Sequence, residues 1–297
     1  ERGASGEEKQ WIRVIAMTTG IRLPLSPCHI FLALAPCPSL LAPRHFYPNW
    51  KQAAPQGKMP GFNLVSVSSE SVVMSEMDYN QARFNMVEQQ VRPWDVLDPR
   101  VLNVIGNIPR ELFTPADCKQ LAYADTRIPI GNFEGRVSHM LNPVVEGRLL
   151  QSLAITEDDT ILQIGTGTGY LTACMATLGR HVDSVDINPE LTAIAEKNLA
   201  HLEISNVTLS TGDAATGWDQ KQYYDCIAII GALPTIPAFY KKALKEGGRM
   251  FVITGDAPVM KANLVTRISK TEWTVEELFE TCTDTLIHAE KAPVFEF

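Results

Sequence analysis

Three glycines spaced two apart, Gly165, Gly167 and Gly169, interrupt the apolar run in "ILQIGTGTGYLTA". A turn of this composition lets backbone N–H groups come close to a ligand. Seventeen residues beyond Gly169, the next apolar run, "HVDSVDI", brings Asp186 and Ile187 to its end. A carboxylate at that place can accept from both hydroxyls of a ribose. Asp213 follows the third run, in "TGDAATGW", with Ala214 beside it, and can accept from an exocyclic amine such as that of adenine. Each feature also has an ordinary structural explanation: a plain glycine turn, an acid ahead of a helix opened by Pro189, and an Asx turn. Their recurrence at three successive segment ends points instead to a nucleoside site.

A dinucleotide fingerprint requires G-x-G-x-x-G, the third glycine permitting close helix–strand packing. Here the third glycine arrives one residue early. No Walker lysine is present, and no basic residue stands near the glycines to meet a pyrophosphate. An adenosine carrying a cationic sulfonium needs neither, so the pattern is that of S-adenosylmethionine rather than NAD.

The elements that must position these residues alternate regularly. Strand-like runs occupy 160–164, 181–187, 206–210, 225–231 and 249–255, and helix-like segments fall near 169–178, 189–202 and 236–245. Runs this apolar are buried on both faces, as in a parallel sheet covered by helices. "NLVTRISK" and "WTVEELFETC" alternate like an antiparallel hairpin added at one edge. The fold class is therefore α/β, a doubly wound, mostly parallel, Rossmann-like sheet. In such sheets ligands bind beyond the carboxyl ends of the strands.

Upstream, "DYNQARFNMVEQQV" places Phe84, Val87 and Val91 at helical spacing. Asp98 and Pro99 form a capping pair ahead of "RVLNVIGNI". "PADCKQLAYAD" reads as another short helix. "TRIPIGNFEGRVSHMLN" carries Pro and Gly punctuation and reads as a loop. Pro143 opens a helix whose buried face is Val144, Leu149, Leu150 and Leu153.

Of the 297 residues 45% are apolar, ordinary for a globular chain, and the net charge is −8. Residues 1–76 carry seven Lys/Arg and five Asp/Glu, leaving 19 against 29 for residues 77–297. A body so acidic argues against nucleic-acid binding. The first 76 residues also hold eight of the 19 prolines. Their apolar stretch is short of the roughly 20 residues of a membrane span and is broken by proline. They read as a non-native or disordered extension upstream of a start at Met74 or Met77, ahead of N-terminal helices and a substrate loop (77–142) and a cofactor-binding core (143–297). A native extension and a targeting segment are the alternatives. The terminal "APVFEF" reads as a finished chain end. The six cysteines form no CxxC and no zinc spacing, so no metal is expected. Cys174 and Cys226 read as core residues, and scattered thiols suit the cytoplasm.

Residues 77–297 resemble the protein-L-isoaspartate O-methyltransferases along nearly their whole length. The resemblance is carried by "MVEQQVRPWDVLD", "IPRELFTPADCKQLAYADTRIPIG", "ILQIGTGTGYLTA", "VDSVDINPEL", "NVTLSTGDAATGW", "YDCIAIIGALPTIP" and "LKEGGRMFVITG", in that order. It implies methyl transfer from S-adenosylmethionine to the free carboxylate of isoaspartyl residues in damaged proteins. It also implies that Gly165, Thr166, Gly167 and Gly169 cradle the methionine portion, that Asp186 and Ile187 hold the ribose, and that Asp213 and Ala214 bound the adenine. Substrates would be isoaspartyl peptides or proteins; a monomer is expected, with no membrane partner. The chemistry needs orientation more than acids or bases, and orientation can supply on the order of 7–11 kcal/mol. His139, His181, His201 and His288 stand apart in sequence and read as structural or exposed.

Two departures from the family pattern stand out. Gln163 replaces an acid in the glycine strand, losing attraction for the cofactor's ammonium. The segment from Gly131 to Pro143 is several residues longer than the family's, and no Thr-Ile-Ser-x-Pro follows. By local likeness the active-site hydroxyl would be Ser138; otherwise Asn142 is the nearest polar substitute, since counting back from Pro143 reaches Leu141. A methyltransferase of this fold with another substrate, and a cofactor-binding homologue without catalysis, are the competing readings.

Overall fold

The structure is a computed structural model describing residues 78–218 and 223–289. The readings made of residues 1–76 and of the terminal "APVFEF" lie outside these residues.

The Asp78 carboxylate accepts from the N–H groups of Asn80 and Gln81 and so starts α1 (Tyr79–Met86). The expected helix does not run evenly to Val91. It widens into a π turn (Val87–Val91) and then tightens into a 3₁₀ turn (Arg92–Trp94). A widened turn rotates the residues before it relative to those after it. Val87 and Val91 are buried while Phe84, expected on the same face, is 60% exposed. Helix α2 (Pro99–Asn107) opens as the sequence predicts, the Asp98 side chain accepting from Arg100 N–H. "PADCKQLAYAD" forms a 3₁₀ stretch, Ala116–Leu121, instead of an α-helix.

The segment read as a loop is a hairpin: β1 (Ile128–Phe133) pairs antiparallel with β2 (Arg136–Met140). Glu134 and Gly135 at its tip have φ of 51° and 76°. Two left-handed residues give the turn whose twist matches antiparallel strands. Pro129 and Gly131, which looked like breakers, flank a register irregularity where the ladder tolerates them.

Helix α3 (Pro143–Leu153) buries Val144, Leu149, Leu150 and Leu153. The alternation then runs β3 (Thr160–Ile164), α4 (Tyr170–Leu178), β4 (His181–Asp186), α5 (Pro189–His201), β5 (Val207–Thr211), β6 (Tyr224–Leu233), α6 (Ala238–Ala243), β7 (Leu244–Thr254), β8 (Met260–Arg267) and β9 (Trp273–Thr281). The sheet order is β5-β4-β3-β6-β7-β8-β9. The first five of these pair in parallel, and β8 and β9 add antiparallel at the edge. The chain leaves β3 towards β4 and β5, then returns to lay β6 on its other side. That reversal opens a crevice at the carboxyl ends of β3 and β6. The central strands are mainly apolar: Ile161, Leu162, Ile227, Ile229, Met250 and Val252 are all buried. Cys174 and Cys226 are free thiols within this core, and burial pushes the Cys226 thiol up to about 12. Among the described residues no helix is long and apolar enough to cross a membrane.

Gly169 starts α4 with φ at +95°, and a Cβ there would lie 3.1 Å from Ala195 Cβ and 3.3 Å from Ala195 Cα of α5. The third glycine therefore serves helix–helix packing. Gly169→Ala is expected to destabilise the fold by about 1–3 kcal/mol, combining backbone strain with the contact. Urea denaturation measures this, and a shift near zero would mean the turn relaxes freely.

Candidate functional site

β3 ends at Ile164, and the chain turns through Gly165 and Gly167, both with positive φ, before α4 begins. Beside this turn an open cleft contains about 740 Å³ of empty space, its mouth and adjoining solvent included. Gly165, Gly167, Asp186, Ile187, Asp213 and Ala214 all line it, together with Ser138 from the hairpin. A smaller inner pocket continues past the glycines, lined by Gln163, Thr166, Thr168 and Glu146 among others. Gly169 lines neither. Asn142 is also outside both, its amide donating to Asp125 Oδ1 at 2.8 Å.

Asp186 is 7% exposed. Its Oδ2 accepts from Gly167 N–H at 2.8 Å and its Oδ1 from Asn188 N–H at 2.9 Å. Burial pushes its carboxyl above the usual range, opposed by these N–H groups. The side chain thus ties the glycine turn to the end of β4 while facing the cleft. Thr166 turns its hydroxyl to Ser184 Oγ, 2.7 Å away. Gln163 is buried beneath the turn: its amide donates to Gly165 O at 2.9 Å, and its oxygen accepts from Thr172 Oγ1 at 2.6 Å. This explains how a neutral residue serves where an acid was expected. A carboxylate there would face the Gly165 carbonyl with no proton to offer.

Three features missed at the sequence level complete the walls. First, residues 283–287 line the cleft, their backbone held to β6 by Ala232 N–H donating to Asp284 O and Leu286 N–H donating to Ala232 O. Gly231 permits this approach, since a Cβ there would lie 2.5 Å from Leu286 Cδ2. Second, Asp284 joins the hairpin. Its Oδ2 accepts from His139 N–H at 3.0 Å and lies 2.8 Å from His139 Nδ1, and its Oδ1 accepts from Arg127 at 3.0 Å. Burial raises the Asp284 carboxyl, but the His139 hydrogen bond and the nearby Arg127 charge outweigh it and leave it low. His139 is thus no isolated side chain. Third, His288 bridges Asp213 and the hairpin tip, with Nδ1 2.8 Å from Asp213 Oδ2 and Nε2 3.0 Å from Glu134 Oε2. Spacing could not find these pairs, because partners 145, 75 and 154 residues apart share no local pattern.

The His288 bridge has a pH window. Hydrogen bonds to Asp213 and then Glu134 raise the imidazole above its ordinary 6.5. On Asp213, burial is outweighed by the Ala215 N–H and His288, leaving it below 3.8. The clasp is therefore complete below the ordinary His value and is lost as pH rises through the raised one; at the acid end it fails as pH falls through the lowered Asp value. Amide exchange at the hairpin tip should accelerate beyond its chemical rate as pH rises past the ordinary imidazole range and through the raised His288 value. His288→Ala should remove that extra acceleration; an unchanged profile would dismiss the clasp.

A family profile described as Protein-L-isoaspartate(D-aspartate) O-methyltransferase matches residues 81–284. Relatives named protein-L-isoaspartate O-methyltransferase include one from Petrotoga mobilis, 33% identical over 201 residues, covering 67% of this chain and 92% of that protein. Another, from Synechococcus, is 36% identical over 176 residues, covering 59% of this chain and 70% of the relative. A solved protein-L-isoaspartate O-methyltransferase superposes with a TM-score of 0.60 at 23% identity, covering 70% of this chain and 65% of that one. A second, from Plasmodium falciparum and in complex with S-adenosyl-L-homocysteine, gives 0.59 at 17%, covering 71% and 99%. These two likenesses concern the fold.

Proposed function

The chain belongs to the protein-L-isoaspartate(D-aspartate) O-methyltransferase family, and on that premise we propose that the cleft beyond β3 is where it binds its cofactor and methylates its substrate. It is an S-adenosylmethionine-dependent methyltransferase that acts on the free carboxylate of isoaspartyl residues in protein repair.

The residues present fit the cofactor. Gly167 has φ of +56°, and a Cβ there would lie 3.1 Å from Ile130 Cδ1, so the turn favours glycine and keeps its backbone open to the cleft. The Thr168 hydroxyl is buried in the inner pocket without a partner among the described residues. Gly165 and Gly167 would cradle the methionine portion, Asp186 and Ile187 the ribose, and Asp213 with Ala214 the adenine. Bound there, S-adenosylmethionine supplies a methyl group on an already activated sulfonium. The protein's own residues bind, orient and exclude water. An isoaspartyl carboxylate is ionised at neutral pH, so no base is required. The carrying observation is the convergence of Asp186, Asp213 and the glycine turn on one cleft.

We assign Ser138, which lines the cleft, to its substrate side; Asn142 stands at the N-cap position of α3 with its amide donating to Asp125 Oδ1. The working unit is residues 77–297, a cytoplasmic monomer. That reading is supported by an acidic body and by a cleft whose described lining residues all fall within 130–287. Deletion of residues 1–76 followed by light scattering and activity measurement tests it, and loss of activity would overturn it. Function itself is tested by radiolabelled methyl transfer to an isoaspartyl peptide, with its aspartyl twin as control. Calorimetry with S-adenosylmethionine and NAD gives the cofactor class. Cofactor binding without transfer to the isoaspartyl peptide would reject the reading.

A further inference from the structure

The acceptor in this reaction is an anion, yet the walls it must approach are acidic. Asp186, Asp213 and Asp284 line the cleft, and Glu146 lines the inner pocket. Like charges at such a place oppose a second carboxylate. Among the described lining residues of both spaces, His139 is the one side chain able to carry positive charge, and it lines both. It therefore stands where the cofactor cleft meets the pocket beyond the glycines.

We propose that His139 binds the acceptor carboxylate and that Asp284, backed by Arg127, is the positioning residue that aims it. This rests on the methyltransferase reading above. β2 carries His139, and one carboxylate oxygen of Asp284 engages both its backbone N–H and its Nδ1. The other oxygen is occupied by Arg127. Two anchors from one carboxylate leave the ring a single orientation, and Nε2 has no protein partner among the described residues. With Nδ1–H directed at Asp284, the ring offers the substrate a donor at Nε2 only as the imidazolium. A charge-assisted hydrogen bond of that kind is among the strong ones. His139 moves no proton in this role. Once the carboxylate becomes an ester its charge is gone, the hydrogen bond weakens, and product is released.

The charged groups around the ring are Asp284 and Arg127 at its Nδ1 side, Glu146 paired with Arg110 in the inner pocket, and Asp186 and Asp213 across the cleft.

The test uses the full chain with His139→Gln and Asp284→Asn. Binding of a fluorescent isoaspartyl peptide is read by anisotropy with S-adenosylhomocysteine saturating, beside a peptide whose isoaspartyl carboxyl is replaced by the amide. His139→Gln should weaken the acid peptide about tenfold and leave the amide peptide and calorimetric cofactor affinity unchanged. KM should rise with kcat held within about threefold. Asp284→Asn should give a smaller KM increase of the same kind. If His139→Gln does not fold, Asp284→Asn decides: a wild-type KM in that variant would overturn the proposal. So would an undiminished preference for acid over amide in a folded His139→Gln. A wild-type protein that binds cofactor but methylates no isoaspartyl peptide would instead defeat the functional reading itself.

Discussion

Asp186→Ala lowers S-adenosylmethionine affinity by about 1.5–3 kcal/mol, roughly ten- to a hundredfold, because hydrogen bonds to a charged group are lost. The expectation rests on where the carboxylate sits. Each oxygen is engaged by one backbone N–H, from Gly167 and Asn188, and the group still faces the cleft. Each oxygen retains capacity for a further donor, which is what a ribose diol supplies. Alanine also strands two backbone donors, so part of the loss comes through a loosened glycine turn. Asp186→Asn separates the two contributions, since it keeps one accepting oxygen and should fall between wild type and alanine. Asp213→Ala should cost less: its side chain is 46% exposed, and water competes for its bonds. Calorimetry on the three variants makes the comparison. An Asp186→Ala protein with wild-type affinity would remove that residue from the site.

The largest stability effect is expected at Arg110. Its side chain is fully buried, donates to Ala122 O at 2.8 Å and Leu141 O at 2.6 Å, and pairs with Glu146. Its guanidinium also lies 4.8 Å from the centre of the Tyr170 ring. Removing one partner of a buried pair leaves an uncompensated charge, so Arg110→Met should destabilise by about 3–5 kcal/mol. Burial already pushes the Glu146 carboxyl above its ordinary 4.5, with Arg110 opposing the rise. A carboxyl raised in the folded state favours folding below its unfolded value and loses that contribution as pH rises through the folded one. Without Arg110 the rise is larger, so the deficit of Arg110→Met should shrink as pH falls. Arg110→Met with Glu146→Leu should recover much of the loss, as apolar replacement of buried pairs often does. Urea denaturation at two pH values reads all of this. A loss in Arg110→Met independent of pH and not rescued by the second change would show that the pair is not the cause. Because Leu141 O lies directly after β2, the same variant should loosen the hairpin that carries Ser138 and His139.

Secondary structure was legible wherever one periodicity ran uninterrupted. The strand-like run 160–164 coincides with β3, and the helix-like segment 189–202 with α5 to within a residue. The edge hairpin of β8 and β9 was equally plain from alternation. The β1–β2 hairpin was not. Pro129, Gly131 and Gly135 read as breakers, although two of them flank an irregular register and the third makes the turn. The π turn at Val87–Val91 escaped for a similar reason, since a periodicity of 3.6 does not register one widened turn.

Within the site the division is sharper. Gly165, Gly167, Asp186 and Asp213 belong to three consecutive strand ends, and a parallel sheet brings successive carboxyl ends to one edge as a matter of topology. The sequence by itself therefore determined the α/β alternation, the cofactor class and the residues that converge on the cleft. Only the tertiary structure decided that Asp284 meets His139, that His288 spans Asp213 and Glu134, and that Arg110 is buried against Glu146. Periodicity and turn chemistry act over a few residues. These pairs depend instead on strand order, on the return of residues 283–289 across β6, and on which polar groups burial obliges to find a partner.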